Sequence, residues 1–424
     1  MKVSPPGQRV HRFLKRLRAA PAFQWEDVPD PRKRRGRRWK LAELLEGLFS
    51  GMLAGATTLR AVEDLTEDMG TAGRMSRRMP DTTAYDLLTR LRPEDLRAKL
   101  RSQVRALHRA KCLPPEGLPC GVLSIDGKAL GSLDHSAEGK AQQAHRSHDG
   151  STYYLARVLR AVLTSAAARP CLDQVWVPST TNEMGTFPAL WDTLIDAYGA
   201  LDLFEIVTAD AGFTSRENAD RIAADHRAYV FALKETQPEL LAEAERQLQL
   251  RRKDPPDAET PWERVDGIEI RRRLYRIREI AGYHGWSHLQ QVWEVQQDRR
   301  TNGGRVETTR RLFLTNLHWG RLTADQILRV IRGHWGIEND CFGTLDLQWD
   351  EDARPWCTHG EALAVIGCLR VMAYNLLQVA RKRHLRRRAR DGRLAPAAAW
   401  RRIFEWVRQA LILPTLLAPS PAVS

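Results

Sequence analysis

The chain has 424 residues, with 66 Lys and Arg against 52 Asp and Glu, a net charge of +14 and 43% apolar residues. That apolar fraction excludes a disordered tail or a fibre, and the length allows roughly two to three domains with sizeable cores. The cationic surplus points to polyanionic partners, nucleic acid first and an acidic membrane surface second, because each phosphate neutralised by Lys or Arg releases condensed counterions.

Residues 1–18 are basic and lack the continuous apolar stretch of a secretory signal, so the chain is expected to stay inside the cell. A basic arm follows, in which seven of the ten residues 31–40 are Lys or Arg; Arg34, Arg35, Arg37 and Arg38 are its candidates for phosphate contact. Leu41, Leu44, Leu45, Leu48, Phe49 and Met52 then recur at helical spacing, 58–69 repeats it more weakly, and 82–91 leads into 93–108. This predicts an all-helical N-terminal domain over 1–112, whose helix from Thr82 is a candidate recognition helix.

After a Pro- and Gly-containing hinge at 113–119, short apolar runs predict strands at 121–126, 153–163 and 172–177, a helix at 183–198 and a strand at 204–209 closed by Asp210. Thr214 with Glu217 reads as a capping box opening a helix to about residue 226, and 229–233 returns as a strand. Three strands followed by alternating helix and strand predict an α/β layer fold with a mixed sheet over 113–252. Past a charged helix at 238–252, the β-rich stretch 253–317 is expected to be an insertion, with strands at 268–277, 289–295 and 310–314. Helical period resumes at Thr323 through Ile327, Val330, Ile331, His334, Glu338, Cys341 and Leu345, so Glu338 is expected on a helix within a second core segment, 318–380. The apolar run 362–380 is interrupted by Gly367, Arg370 and Asn375 and reads as a buried helix rather than a membrane span. The end, 381–424, holds eight Lys or Arg in the thirteen residues 381–393 and then a short amphipathic piece. Six cysteines without a Cys-x-x-Cys pair read as reduced packing residues.

Two local patterns carry chemistry. Ser124-Ile125-Asp126-Gly127-Lys128 and Val207-Thr208-Ala209-Asp210-Ala211-Gly212 each put a carboxylate at the expected end of a strand, at the rim of one sheet. Taken alone, an Asp near a Gly is usually a turn residue or cap. Two such carboxylates on neighbouring strands, with Glu338 as a third, suit a hard cation such as Mg²⁺, which takes about six oxygens and keeps several waters.

Taken together, Ile125-Asp126-Gly127-Lys128, Thr181-Asn182-Glu183, Thr208-Ala209-Asp210, Ala232-Leu233-Lys234-Glu235-Thr236-Gln237 and His334-Trp335-Gly336-Ile337-Glu338-Asn339 resemble the successive motifs of DDE transposases of bacterial insertion sequences, most closely the family containing the H-repeat-associated proteins. Residues 30–69 also resemble that family's associated helical domain. The resemblance implies an α/β, RNase H-like mixed-sheet core with a β insertion, preceded by a small all-helical domain. It implies that Asp126, Asp210 and Glu338 hold two Mg²⁺ ions, or Mn²⁺ in their place, with Asp126 bridging. Lys128, Asn182, Glu183, Lys234, His334 and Asn339 would support those ligands or touch DNA, with a structural salt bridge or cap as the equal alternative. The implied partners are double-stranded DNA, as inverted-repeat ends and target, and a second copy of the chain assembled on it, in the cytoplasm with the nucleoid and without a membrane. Where more distant transposases carry Tyr, Arg and Lys around the Glu, this chain has Ile331, His334 and Leu345, so no hairpin pathway is implied. A non-catalytic DNA-binding regulator and a nuclease without joining activity are the competing readings.

Overall fold

The computed structural model describes residues 6–133, 144–146, 148–265, 267–300, 304–357, 359–385 and 397–412. Five helices come first: α1 (Pro6–Ala19), α2 (Leu41–Leu53), α3 (Leu59–Thr71), α4 (Asp81–Leu88) and α5 (Pro93–Arg109). The three-to-four spacing in α2 is its core face, since Leu41, Leu44, Leu45, Leu48, Phe49 and Met52 are all buried. Thr58 caps α3 by accepting the Ala61 N–H at 3.1 Å. Pro93 opens α5, where its missing N–H costs nothing. The basic arm makes a single 3₁₀ turn, Arg34–Gly36, and its charges are not equivalent. Arg32 is buried with its Nε 2.9 Å from Asp30; Arg34, Arg35, Arg37 and Arg38 are exposed, and of these Arg37 lies 3.3 Å from the same carboxylate.

The described strands form one mixed sheet: β1 (Val122–Leu133), β2 (Ala144–Arg146), β3 (Thr152–Leu163), β4 (Cys171–Trp176), β5 (Ile206–Ala209), β6 (Ala228–Leu233), β7 (Ala258–Glu259), β8 (Glu263–Val265), β9 (Ile268–Ile277), β10 (Gln291–Arg300) and β11 (Val306–Thr315). The order is β2-β3-β1-β5-β6-β11-β10-β9-β7, with β4 on β3 and β8 on β9. β1 is antiparallel to β3 but parallel to β5, and β5 is parallel to β6. The parallel steps are crossed by α6 (Glu183–Tyr198) and α7 (Arg216–Ala224). Three antiparallel strands continued by two parallel ones make an RNase H-like core, as expected. β5 and β6 are apolar almost throughout because helices cover both faces of a parallel sheet.

The stretch between Asp210 and Glu338 adds α8 (Pro238–Arg251) and β7 to β11, and its strands lengthen the core sheet by pairing β11 with β6. α9 (Ala324–His334), a π turn (Ile337–Phe342), α10 (Gly343–Trp349), α11 (Gly360–Val379) and α12 (Trp400–Ile412) complete the chain. Residues 361–384 are long and apolar enough to cross a membrane, yet their apolar window is wholly buried inside the fold. The polar interruptions there are satisfied locally: Asn375 exchanges two hydrogen bonds with the Cys171 backbone at 2.8 and 2.7 Å, and Arg370 donates to the carbonyls of Glu351 and Arg354. α12 lies against α1, α2 and α3, and Trp400 and Phe404 meet Trp349 edge-on at 5.4 Å. Of the basic run 381–393, residues 386–393 lie outside the described residues.

Three local expectations need correction. β1 does not end at Asp126 but runs to Leu133, because antiparallel β3 keeps pairing with it after β5 has stopped. α7 is capped by Ser215, whose Oγ accepts the Asn218 N–H at 3.1 Å, while Thr214 donates to the Ala232 carbonyl instead of capping. Residues 6–19, read only as basic, form a helix whose Val10, Phe13 and Leu14 are buried.

Candidate active site

The site is made by a difference in strand length. β5 pairs with β1 only as far as Ala209 opposite Ile125. Asp126 is therefore the first β1 residue without a β5 neighbour, and Asp210 is the first residue after β5, so both acids stand at the gap. The Asp126 carboxylate accepts its neighbour's Gly127 N–H at 2.8 Å. Asp210 is exposed and accepts the Gly212 N–H at 2.9 Å, capping the short turn Ala211–Phe213. It is a cap as well as a candidate ligand, since the bond to Gly212 engages one carboxylate oxygen and a carboxylate has two.

Glu338 comes from the π turn between α9 and α10 and is exposed. π turns inside helical runs recur at functional sites because the extra residue re-aims a side chain. Glu338, Asp210, His334 and Lys234 line one cavity of about 580 Å³, with Arg310 and Arg311 on its wall. Burial pushes the Asp126 acid up to about 7; the Gly127 N–H opposes this, and the charges of Asp210, Glu338 and Glu183 add to it. Four acids thus act on one point. Among the described residues, Asp126, Asp210 and Glu338 form no ion pair. Their all-oxygen donor set, with one acid pushed up by burial and like charge that a bound cation would relieve, fits a hard divalent cation. Among the described residues no three acids or imidazoles stand close enough to enclose an ion by themselves, so the acids border the gap rather than close it.

Beneath the aspartates runs a chain of hydroxyls. Ser124 Oγ lies 2.8 Å from both Thr164 Oγ1 and Thr208 Oγ1, and Thr208 lies 2.9 Å from His334 Nδ1. Burial takes His334 down to about 4, with Asp210 opposing and Arg311 reinforcing, so its imidazole is neutral at pH 7. It therefore ties α9 to β5 by a hydrogen bond rather than contributing a positive charge.

The other expected residues divide. Lys128 is bound to Asp346 of α10, its Nζ 2.7 and 2.6 Å from the two carboxylate oxygens. Asn182 caps α6 by accepting the Gly185 N–H at 2.9 Å. Glu183 reaches back over β1 and stands 3.6 Å from Arg157. Lys234 is exposed in the same cavity as Asp210, and Asn339 is exposed beside Glu338. Arg34, Arg35, Arg37 and Arg38 belong to the helical segment and line none of the cavities that hold Asp210 or Glu338.

Sequence reading missed what holds the π turn in place. Lys128–Asp346 ties its following helix to β1, Arg169 pairs with Asp340 inside it, and fully buried Arg160 of β3 holds Glu351 through two hydrogen bonds of 2.7 and 2.9 Å. Gly336 leaves room there for the Arg169 guanidinium, which a Cβ would displace. Ser124 and Thr208 were legible in principle, each two residues before an aspartate and so on the same face of its strand. The ion-pair partners carried no sequence signal.

Comparison with known proteins adds to this geometry. The transposase DDE domain model matches residues 121–376, from the residue before β1 into α11. The H repeat-associated protein YhhI of Escherichia coli (strain K12) is 25% identical over 266 residues, which cover 60% of this chain and 64% of that relative's length.

Proposed function

Since the chain belongs to the transposase DDE domain family, we propose that it binds the ends of an insertion element as a dimer on double-stranded DNA and catalyses strand cleavage and strand transfer. The observation that supports this most is the gathering of Asp126, Asp210 and Glu338, from two strands and a π turn, around the gap where β5 stops. Those three residues would hold two Mg²⁺ ions, or Mn²⁺, which when bound activate the attacking oxygen and stabilise the leaving 3′-oxygen of an in-line displacement at phosphorus.

The chain's own groups set the stage. β1 and β5 fix the two aspartates rigidly, and the π turn presents Glu338 to the same gap. Exposed Lys234 and Arg310 offer charge to the phosphates of a strand lying in the cavity. The hydroxyl chain and neutral His334 hold α9, and so the start of the π turn, against β5. Water and a DNA 3′-hydroxyl are interchangeable attacking groups here, so one site serves both cutting and joining without a covalent protein intermediate. Arg34, Arg35 and Arg38 supply phosphate contact away from the site, and Arg37, held by Asp30, contributes less.

The test uses the purified chain with duplexes carrying the inverted repeats that flank its gene. Asp126→Asn, Asp210→Asn and Glu338→Gln should each keep DNA binding within a few-fold and lower Mg²⁺-dependent cleavage by at least about 10³-fold, equivalent to roughly 4 kcal/mol of barrier. Substantial cleavage by all three variants would overturn the reading. Joined products from the unaltered chain separate a transposase from a nuclease.

A further inference from the structure

The sheet has two faces at the gap, and Asp126, Asp210 and Glu338 account for only one approach to it. Successive residues of a strand point to opposite faces. Lys128 reaches the face covered by α10, where it meets Asp346. Gly127 turns the other way, and there it meets the first turn of α6: a Cβ at 127 would collide with the carboxylate of Glu183. Gly127 leaves the room in which this carboxylate lies against β1, one residue beyond Asp126. Asn182 fixes the start of α6 by its cap, which holds Glu183 at this place on the strand.

Glu183 is only half-buried and stands 3.6 Å from Arg157 of β3, longer than a hydrogen-bonded ion pair. The carboxylate lies against β1 beside Asp126, and its charge acts on Asp126 as that of Asp210 acts on it, so it faces the acids of the gap as well as Arg157. We propose that Glu183 is a fourth acidic ligand of the site, reaching one of the two divalent ions from the sheet face opposite Lys128 and α10. This rests on the reading of Asp126, Asp210 and Glu338 as metal ligands. It assigns the acids to two sides: Glu338 enters from the π turn, Glu183 from the start of α6, and Asp126 lies between them on β1.

The test measures Mn²⁺ binding to the full chain at pH 8 by titration calorimetry, without DNA. Glu183→Gln, which preserves shape, should weaken one Mn²⁺ at least about tenfold, and Arg157→Met should leave binding unchanged or tighter because it frees the carboxylate. Mn²⁺ binding by Glu183→Gln equal to that of the unaltered chain overturns the proposal. So does weakening by Arg157→Met as large as that by Glu183→Gln, which would make Glu183 merely the partner of Arg157. Asp126→Asn serves as the control: if it too binds like the unaltered chain, or the unaltered chain takes up no Mn²⁺, the metal reading of the whole site falls and this inference with it. A second measurement needs no variant. Fe²⁺ in place of Mg²⁺, with ascorbate and hydrogen peroxide, generates hydroxyl radicals that cut backbone beside the ion. Cuts are expected near 126, near 210 and near 183, and cuts at the first two without the third overturn the assignment.

Discussion

Two regions of this molecule handle carboxylates in opposite ways. Along β3 and β4 the buried acids have matched cations: Glu351 receives both arms of Arg160 of β3 with neither side chain exposed, and Asp173 of β4, also fully buried, receives Arg97 and Arg101 at 2.9 and 3.0 Å. At the gap beyond β5, Asp126, Asp210 and Glu338 act on one another without an ion pair among the described residues, and Asp126 is driven up to about 7. The same residue types therefore do two jobs. Paired acids lock the backbone, and the unpaired ones leave an electrostatic deficit for a ligand to fill. The second region depends on the first, because Arg160 and Lys128, bound to Glu351 and Asp346, tie the segment after the π turn to β3 and β1.

Beyond loss of catalysis, the largest effect should come from breaking an anchor. Arg160→Met or Glu351→Gln leaves one buried charge uncompensated and should cost about 3–5 kcal/mol, whereas the double variant Arg160→Met/Glu351→Met should recover much of it. Urea denaturation of the metal-free chain measures this, and near-neutral single variants would break the comparison.

The gap should respond in the opposite direction. An acid whose folded pKa is raised keeps its proton in the folded state after the unfolded chain has lost it, so Asp126 weakens the fold as pH rises from about 4 to about 7 and carries its full penalty above that. Asp126→Asn should stabilise the metal-free chain at pH 8 by on the order of a few kcal/mol and flatten that slope. His334, lowered to about 4, has the reverse sign: the neutral ring's contribution is complete above about 6.5 and is lost as pH falls towards 4. His334→Gln should remove that acid-side loss. Melting curves from pH 4 to 8 distinguish the two, and parallel slopes for both variants would contradict the assignment.

A smaller effect is expected at Lys128, which touches both regions. Lys128→Met should cost about 1–3 kcal/mol by stranding partly buried Asp346, and the Mg²⁺ concentration needed for half-maximal cleavage should rise as α10 loosens. An unchanged Mg²⁺ requirement would make the pair purely structural. The smallest concerns the arm: replacing Arg34, Arg35 and Arg38 by Gln should lower the slope of log affinity against log salt by up to about 3. No change would place DNA elsewhere.

Much of the core was legible because its signals are local. The run of strands, the helix at 183–198 and the two aspartates follow from short apolar stretches closed by Asp and Gly, and the resemblance supplied Glu338. The end of β1 was not legible, since what carries it past Asp126 is the continued pairing of β3 across the sheet. Nor were the anchors, whose partners are 218 residues apart for Lys128–Asp346 and 191 for Arg160–Glu351. The buried stripe of α1 was hidden by its arginines and lysines, because the helix that covers it lies near the other end of the chain. Glu183 was named on motif alone; only the glycine opposite it shows which way it faces.

That pairing of α1 with α12 has a consequence in time. At synthesis rates of about 5–20 residues per second, the first helix waits roughly 20–80 s for its cover to leave the ribosome. During that interval Val10, Phe13 and Leu14 have no final resting place. A message broken before the codon for Trp400 would yield a chain whose sheet and acids are complete but whose first helix is uncovered, a marked substrate for the cell's quality-control proteases.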